Sequence, residues 1–275
     1  MKHYALIGYP LGHTLSPQIH ARLFALSGQE ADYQTLELAP EALGGKYETL
    51  AALDGFNVTI PHKVDIIRFC DRLDEGAARY GSVNCVKNGG ERVGYNTDVL
   101  GFTKSIDLLG ASLAARVLLI GCGGVGRMMA IETALSGGSL TIAALDADRP
   151  KAEAVVREIR DKKPDASVCI INSPIEPPFE DYDLLVNASP VGMFPKIDAS
   201  PCSAEVLDHV RYVFDAVYNP RETLLVKTAR ERGARAMNGM AMLVLQAAAA
   251  QEIWSGASFR KGDLETLIAD MEALV

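Results

Sequence analysis

Apolar residues along this chain recur with two different periods, and the switches between them mark out its elements. In the first hundred residues, runs at Tyr4 to Gly8, Tyr33 to Glu37 and Gly55 to Ile60 predict strands, while Pro17 to Ser27 and Pro40 to Leu53 carry helical spacing. A helix over Val99 to Leu109 leads out of this stretch. A second series then begins with strand Arg116 to Ile120, helix Arg127 to Leu135, strand Leu140 to Leu145 and helix Pro150 to Lys162. Strands at Ser167 to Ile171, Tyr182 to Asn187 and Tyr212 to Ala216 follow, and a helix over Thr223 to Arg232. The tail, Met240 to Trp254 and Asp263 to Leu274, reads as helical with no strand to pair with. This alternation predicts an α/β fold: an N-terminal α/β domain over 1–98, a doubly wound parallel sheet over 99–236, and C-terminal helices over 237–275 packing back on the first domain.

Between the strand at Arg116 to Ile120 and its helix stands Gly121-Cys122-Gly123-Gly124-Val125-Gly126, a glycine fingerprint in the strand-turn-helix context that dinucleotide binding requires. Gly121 permits the tight turn, Gly123 lets the backbone approach a pyrophosphate, and Gly126 lets the new helix lie close to its strand. Gly124 and Val125 complete the cofactor-binding turn ahead of that helix, whose N-terminus then faces the phosphates. The next strand runs into Asp146, 20 residues past the last glycine, where a carboxylate accepts hydrogen bonds from the hydroxyls of an adenosine ribose and repels a 2′-phosphate. The second domain is therefore expected to be of Rossmann type and to prefer NAD over NADP. A plain glycine turn beside an exposed acid is the alternative.

Composition narrows the partners. A formal charge of −8 over 275 residues leaves no basic stripe for nucleic acid. The five cysteines, Cys70, Cys85, Cys122, Cys169 and Cys202, are scattered and odd in number, which suits a reducing compartment. His3, His13, His20, His62 and His209 show no ligand spacing, so no metal is expected. The chain enters a strand pattern at Tyr4 with no signal-like apolar region, and its longest apolar stretch, around Met240 to Ala250, is too short to span a bilayer. A cytoplasmic protein, monomer or homodimer, acting on a small molecule is expected.

Several ordered motifs carry a resemblance. The stretch Gly8-Tyr9-Pro10-Leu11-Gly12-His13-Thr14-Leu15-Ser16-Pro17-Gln18-Ile19-His20, the segment Asn57-Val58-Thr59-Ile60-Pro61-His62-Lys63, Gly81-Ser82-Val83-Asn84, Asn96-Thr97-Asp98 and Asn187-Ala188-Ser189-Pro190-Val191-Gly192-Met193 together resemble the shikimate dehydrogenase family, with its quinate/shikimate and aminoshikimate relatives, over almost the whole chain. The resemblance implies an N-terminal substrate domain, an active site in a cleft between the domains, and interconversion of shikimate with its 3-dehydro form. It further implies that Lys63 is the acid/base group, that Asp98 orients it, and that Thr14 and Ser16 hold the substrate carboxylate. Thr59, Asn84, Tyr218 and Gln246 complete the substrate shell by the same resemblance, and Ser189, Ala216, Gly239 and Met242 lie on the cofactor side.

Each of these residues also has an ordinary explanation. Lys63 and Asp98 suit a surface ion pair, Ser16 before Pro17 suits a helix cap, Tyr218 and Gln246 suit packing and a helix surface, and Met242 suits a core. His62 beside Lys63 is expected to point to solvent. Three departures from the family's common pattern stand out: Asp146-Ala147-Asp148 where Asn-Arg-Thr is frequent, Thr14 where serine is usual, and Val99 where glycine is common. The missing arginine strengthens the NAD expectation, although Arg149 lies close by. A quinate or aminoshikimate dehydrogenase is the alternative enzyme, and a nucleotide- or ligand-sensing homologue without turnover the alternative from another class.

Overall fold

The computed structural model describes residues 1–12, 14–172 and 180–275, so His13 of the N-terminal motif lies outside the described residues. In chain order the first half contains β1 (Lys2–Gly8), α1 (Ser16–Ser27), β2 (Ala31–Glu37), a 3-10 segment (Pro40–Lys46), α2 (Tyr47–Ala51), β3 (Gly55–Val58), a second 3-10 segment (Asp65–Phe69), β4 (Arg72–Leu73), α3 (Glu75–Tyr80), β5 (Cys85–Lys87), β6 (Val93–Tyr95) and α4 (Asp98–Leu109). The second half contains β7 (Arg116–Ile120), α5 (Gly124–Leu135), β8 (Ser139–Ala143), α6 (Arg149–Lys162), β9 (Val168–Ile171), β10 (Tyr182–Asn187), α7 (Ala204–Leu207), β11 (Val210–Asp215), α8 (Leu224–Glu231), β12 (Arg235–Met237), α9 (Met240–Ser255) and α10 (Lys261–Glu272). The chain divides into two compact units, Met1–Gly101 with Leu243–Met271, and Phe102–Met242 with Glu272–Val275.

The first unit holds a mixed sheet in the order β2-β1-β3-β5-β6-β4. Alternation along β1 sends Ala5 and Ile7 to one face, with Phe56, Val58 and Ile66, and Tyr4 to the other, with Phe24, Cys85 and Trp254. Trp254 on α9 stacks on Tyr4 at 4.5 Å between ring centroids and donates its indole N–H to the carbonyl of Val86 at 2.9 Å. Burying an aromatic pair of this size with its one indole polar atom satisfied is what fastens α9 over that face.

The second unit holds a sheet in the order β12-β11-β10-β7-β8-β9, parallel throughout. Its central strands are buried along nearly their whole length, as expected of a parallel sheet covered on both faces. The chain steps outward from β7 through β8 to β9 and then returns to the other side of β7 with β10, so the order reverses between β7 and β10. At their carboxyl ends Ile120 lies beside Asn187. That crevice is where open α/β sheets bind ligands.

The α/β class and the Rossmann-type second sheet stand as predicted, but several boundaries move. The helix expected over Pro40 to Leu53 is broken into a 3-10 segment and α2, because Gly44-Gly45 weaken helical continuity. The strand expected over Leu140 to Leu145 ends at Ala143. β4, β5 and β6 escape prediction because two or three residues are too few to show a period. No helix among the described residues is long and apolar enough to cross a membrane.

Candidate active site

In the first unit, β3 runs out at Val58 and the chain turns through Thr59 to Lys63. The backbone carbonyl of Lys63 accepts from the Val83 N–H at 2.8 Å, which ties this turn to the segment leading into β5. The Lys63 ammonium donates to Oδ2 of Asp98 at 2.6 Å, and both side chains are mostly but not wholly buried, at 22% and 14% exposure. Asp98 is the first residue of α4, where a carboxylate also meets the positive end of the helix. Its other oxygen accepts from Nδ2 of Asn84 at 2.8 Å.

Asn84 is the hub of this cluster. Its Oδ1 accepts from the Thr97 N–H at 2.6 Å, and its Nδ2 also approaches Oγ1 of Thr97 at 3.0 Å and Oε1 of Gln246 at 3.4 Å. Asn57 steadies it from below, donating to the Asn84 carbonyl at 3.2 Å and accepting from the Tyr33 hydroxyl at 2.8 Å. Thr59 is partly buried beside Gly8, where an added Cβ would stand 2.4 Å from its methyl. Nearer the N-terminus, Thr14 donates its hydroxyl to Oγ of Ser16 at 3.1 Å. Ser16 is the first residue of α1 and not its cap; the cap position is Leu15, whose side chain caps nothing. The Thr14 hydroxyl also accepts from the Ser16 N–H at 3.2 Å, so two hydroxyls stand together at the start of α1, an arrangement suited to a carboxylate.

His62 corrects its expectation. It is fully buried, and Nε2 lies 2.6 Å from the Leu38 carbonyl, to which it donates. A ring anchored in this way does not face solvent.

In the second unit the fingerprint has the geometry its chemistry needs. Gly121 adopts φ +101°, a conformation that favours glycine, and an added Cβ there would lie 2.7 Å from the Ser189 nitrogen. At Gly126 an added Cβ would lie 2.2 Å from the Gly121 carbonyl oxygen, so only glycine lets α5 sit this close to the turn. Gly123 and Gly124 are exposed and face open space, and Gly123 caps α5 without a side-chain hydrogen bond. Val125 follows, partly buried. The free N–H groups at this end fit a pyrophosphate.

Ser189 is held by Asn187, whose Oδ1 accepts from the Ser189 N–H at 3.0 Å and its hydroxyl at 2.7 Å. Ala216 donates its N–H to the Asn187 carbonyl at 2.8 Å, and Gly239 donates to the Val217 carbonyl at 3.0 Å. Tyr218 is partly buried, which raises its phenol pKa, and Met242 is partly buried on the first turns of α9. Among the described residues no group of three or more His, Cys, Asp or Glu side chains is placed to hold a metal ion.

Residues 6–86 match the family model of the shikimate dehydrogenase substrate binding domain. A shikimate dehydrogenase (NADP(+)) of Caldanaerobacter subterraneus subsp. tengcongensis is 38% identical over 265 residues, 94% of each chain. The chain belongs to the shikimate dehydrogenase family. It is thus an enzyme of a class of NAD(P)-dependent oxidoreductases acting on a CH–OH group. A crystal structure of a shikimate dehydrogenase in complex with NADP+ superposes with a TM-score of 0.87 at 33% identity, covering 98% of this chain and 96% of the other. A second, from Thermus thermophilus in complex with NADP(H) and shikimate, gives 0.85 at 29% identity, covering 98% and 99%.

These relatives overturn the expectation that a shikimate dehydrogenase with this sequence prefers NAD over NADP. The physical reason lies after β8. The strand ends at Ala143, so Asp146 stands in an exposed turn beyond it and not at the strand tip, and solvent screens its charge. Asp148, the second carboxylate expected to repel a phosphate, is already paired with the Lys151 ammonium at 2.8 Å. Arg149 opens α6 in the same turn.

Asn57, Thr97, Asn187 and Asp215 have no role assigned from the sequence, although three of them lie within quoted motifs. For Asp215 the signal is a carboxylate closing the apolar run Val213-Phe214. It is fully buried, and burial raises its pKa to about 6 against the lowering effect of hydrogen bonds from Thr223, Val217 and Asn187. Because the folded pKa lies above the unfolded one, this group's contribution to stability is complete below about pH 4 and is lost as pH rises through about 6. Urea unfolding from pH 4 to 7 should therefore show wild type losing stability relative to Asp215→Asn, on the order of 2–3 kcal/mol. A difference independent of pH would refute this assignment.

Proposed function

We propose that this enzyme interconverts shikimate and 3-dehydroshikimate with NADP as cofactor, and the observation that carries the reading is the Lys63–Asp98 pair fixed by Asn84. NADP, when bound, supplies the acceptor for the hydride that leaves the carbinol carbon. The hydroxyl proton must leave with it, and a positioned lysine beside a carboxylate can take it. In the oxidising direction the Lys63–Asp98 pair receives that proton, having first lost one to solvent. In the reducing direction the Lys63 ammonium returns it to the developing alkoxide. Asp98 keeps the ammonium in place, and Asn84 keeps Asp98 from rotating, so the pair needs little reorganisation during transfer.

Thr14 and Ser16 hold the substrate carboxylate at the start of α1, and Thr59, Asn84, Tyr218 and Gln246 bind its ring hydroxyls. The pyrophosphate of NADP is held by the N–H groups of Gly123, Gly124 and Val125, with Gly121 and Gly126 shaping the turn. Arg149 and Lys151, on the first turn of α6, are the cations nearest in the chain to the end of β8 and bind the 2′-phosphate, while Asp146 remains in solvent. Ser189, Ala216, Gly239 and Met242 border the nicotinamide side.

Values of kcat/KM for NADP and NAD, each with shikimate and with quinate, test this. With shikimate, NADP is expected to be favoured over NAD at least about tenfold, the ratio that one phosphate contact worth about 1.4 kcal/mol provides, and with NADP, shikimate is expected to turn over faster than quinate. Faster turnover of quinate would replace the substrate assignment. Absence of turnover with either acid would favour a sensing homologue.

A further inference from the structure

The second unit contains a buried polar relay whose centre touches neither of the groups assigned above. Asp215 closes β11 directly beside Asn187 at the end of β10. Its Oδ1 accepts from Nδ2 of Asn187 at 2.8 Å and from the Val217 N–H at 3.0 Å, and its Oδ2 accepts from the Thr223 hydroxyl at 2.6 Å. An amide side chain has two faces of different chemistry, and the carboxylate decides which way Asn187 turns. With Nδ2 drawn to Asp215, Oδ1 is left to accept from both the N–H and the hydroxyl of Ser189, and that hydroxyl in turn accepts from the Val191 N–H at 3.3 Å. On its other side, Thr223 passes the constraint to α8 by accepting from the Val226 N–H at 3.2 Å.

We propose that Asp215 is a positioning residue: its carboxylate fixes the Asn187 amide and the Val217 N–H, and so sets the loops at 188–193 and 216–223 in the form that binds NADP(H). This rests on the assignment of Ser189 and Ala216 to the cofactor side. Protonation puts a hydrogen on one oxygen and turns an acceptor-only group into one that must also donate, so the relay weakens as the carboxyl titrates. Asn187 on β10 and Thr223 before α8 are uncharged. The titratable group facing Asp215 is Cys202, whose thiol burial pushes up to about 12, so it stays neutral across the range that matters.

The test is NADPH affinity of wild type and Asp215→Asn, measured by calorimetry from pH 5 to 8. Taking the ratio of the two at each pH cancels the titration of the ligand's own phosphate. The variant is expected to bind about tenfold more weakly at pH 8, since an amide cannot accept at every position the carboxylate fills. The ratio should fall toward one at pH 5, where wild type has lost the same interactions. A ratio near one throughout, or one constant with pH, would overturn the proposal, the latter assigning Asp215 a structural role alone. Wild type that fails to bind NADPH would overturn the cofactor reading and this inference together. Should the variant not fold, the Ser189 and Val217 amide resonances of wild type are expected to titrate with a midpoint near 6, and pH-invariant resonances would overturn the proposal equally.

Discussion

Lys63→Met is expected to lower kcat for shikimate oxidation by about 1,000-fold, within the range that a positioned acid or base contributes. Methionine keeps most of the aliphatic stem and removes only the group that moves a proton. The fold around it should persist, because the turn is held by the Lys63 carbonyl, which accepts from the Val83 N–H whatever the side chain. KM should change by much less than kcat, since binding is assigned to Thr14, Ser16, Thr59, Asn84, Tyr218 and Gln246. Steady-state kinetics with a thermal unfolding control separates the two effects. A folded variant turning over at the wild-type rate would remove Lys63 from the chemistry. In that event Asp98, which retains its bond from Asn84, would become the group to change next.

What the sequence discloses here depends on the range over which each feature acts. The fingerprint at Gly121 to Gly126 is readable because its requirements are local: a turn at φ +101° favours glycine, and a helix position where an added Cβ would lie 2.2 Å from a carbonyl oxygen admits nothing larger. The long strands and helices are readable from their periods. By contrast, the contact of Lys63 with Asp98 joins residues 35 apart, through β4, β5 and β6, which are too short to announce themselves. His62 shows the same limit, since nothing local says that its ring reaches the Leu38 carbonyl. The NAD expectation fails for a related reason. The ribose rule applies to an acid at a strand tip, and the apolar character of Ala144 and Leu145 extends the apparent strand past its real end at Ala143. Two residues of strand decide whether Asp146 stands at a strand tip or in an exposed turn.

The fingerprint glycines should divide into two kinds under alanine substitution, and the division is a direct probe of where phosphate binds. Gly126→Ala places a methyl 2.2 Å from the Gly121 carbonyl oxygen and 3.2 Å from Cβ of Ala188, with backbone on one side and no flexible neighbour to yield. Helix α5 must move off β7, which costs about 1–3 kcal/mol of stability and turns the helix N-terminus away from its ligand. Both the unfolding midpoint and NADPH affinity should fall, the affinity by about 100-fold if two phosphate hydrogen bonds at about 1.5 kcal/mol each are lost. Gly123→Ala meets nothing within 4 Å and keeps an ordinary φ of −68°, so its unfolding midpoint should match wild type. Its methyl would nevertheless occupy the space through which the pyrophosphate reaches the backbone, and affinity should drop without any loss of stability. Calorimetry and thermal unfolding on the two variants distinguish these cases. Wild-type affinity in Gly123→Ala would place the phosphates elsewhere on the sheet edge, while wild-type stability in Gly126→Ala would mean that α5 yields without strain.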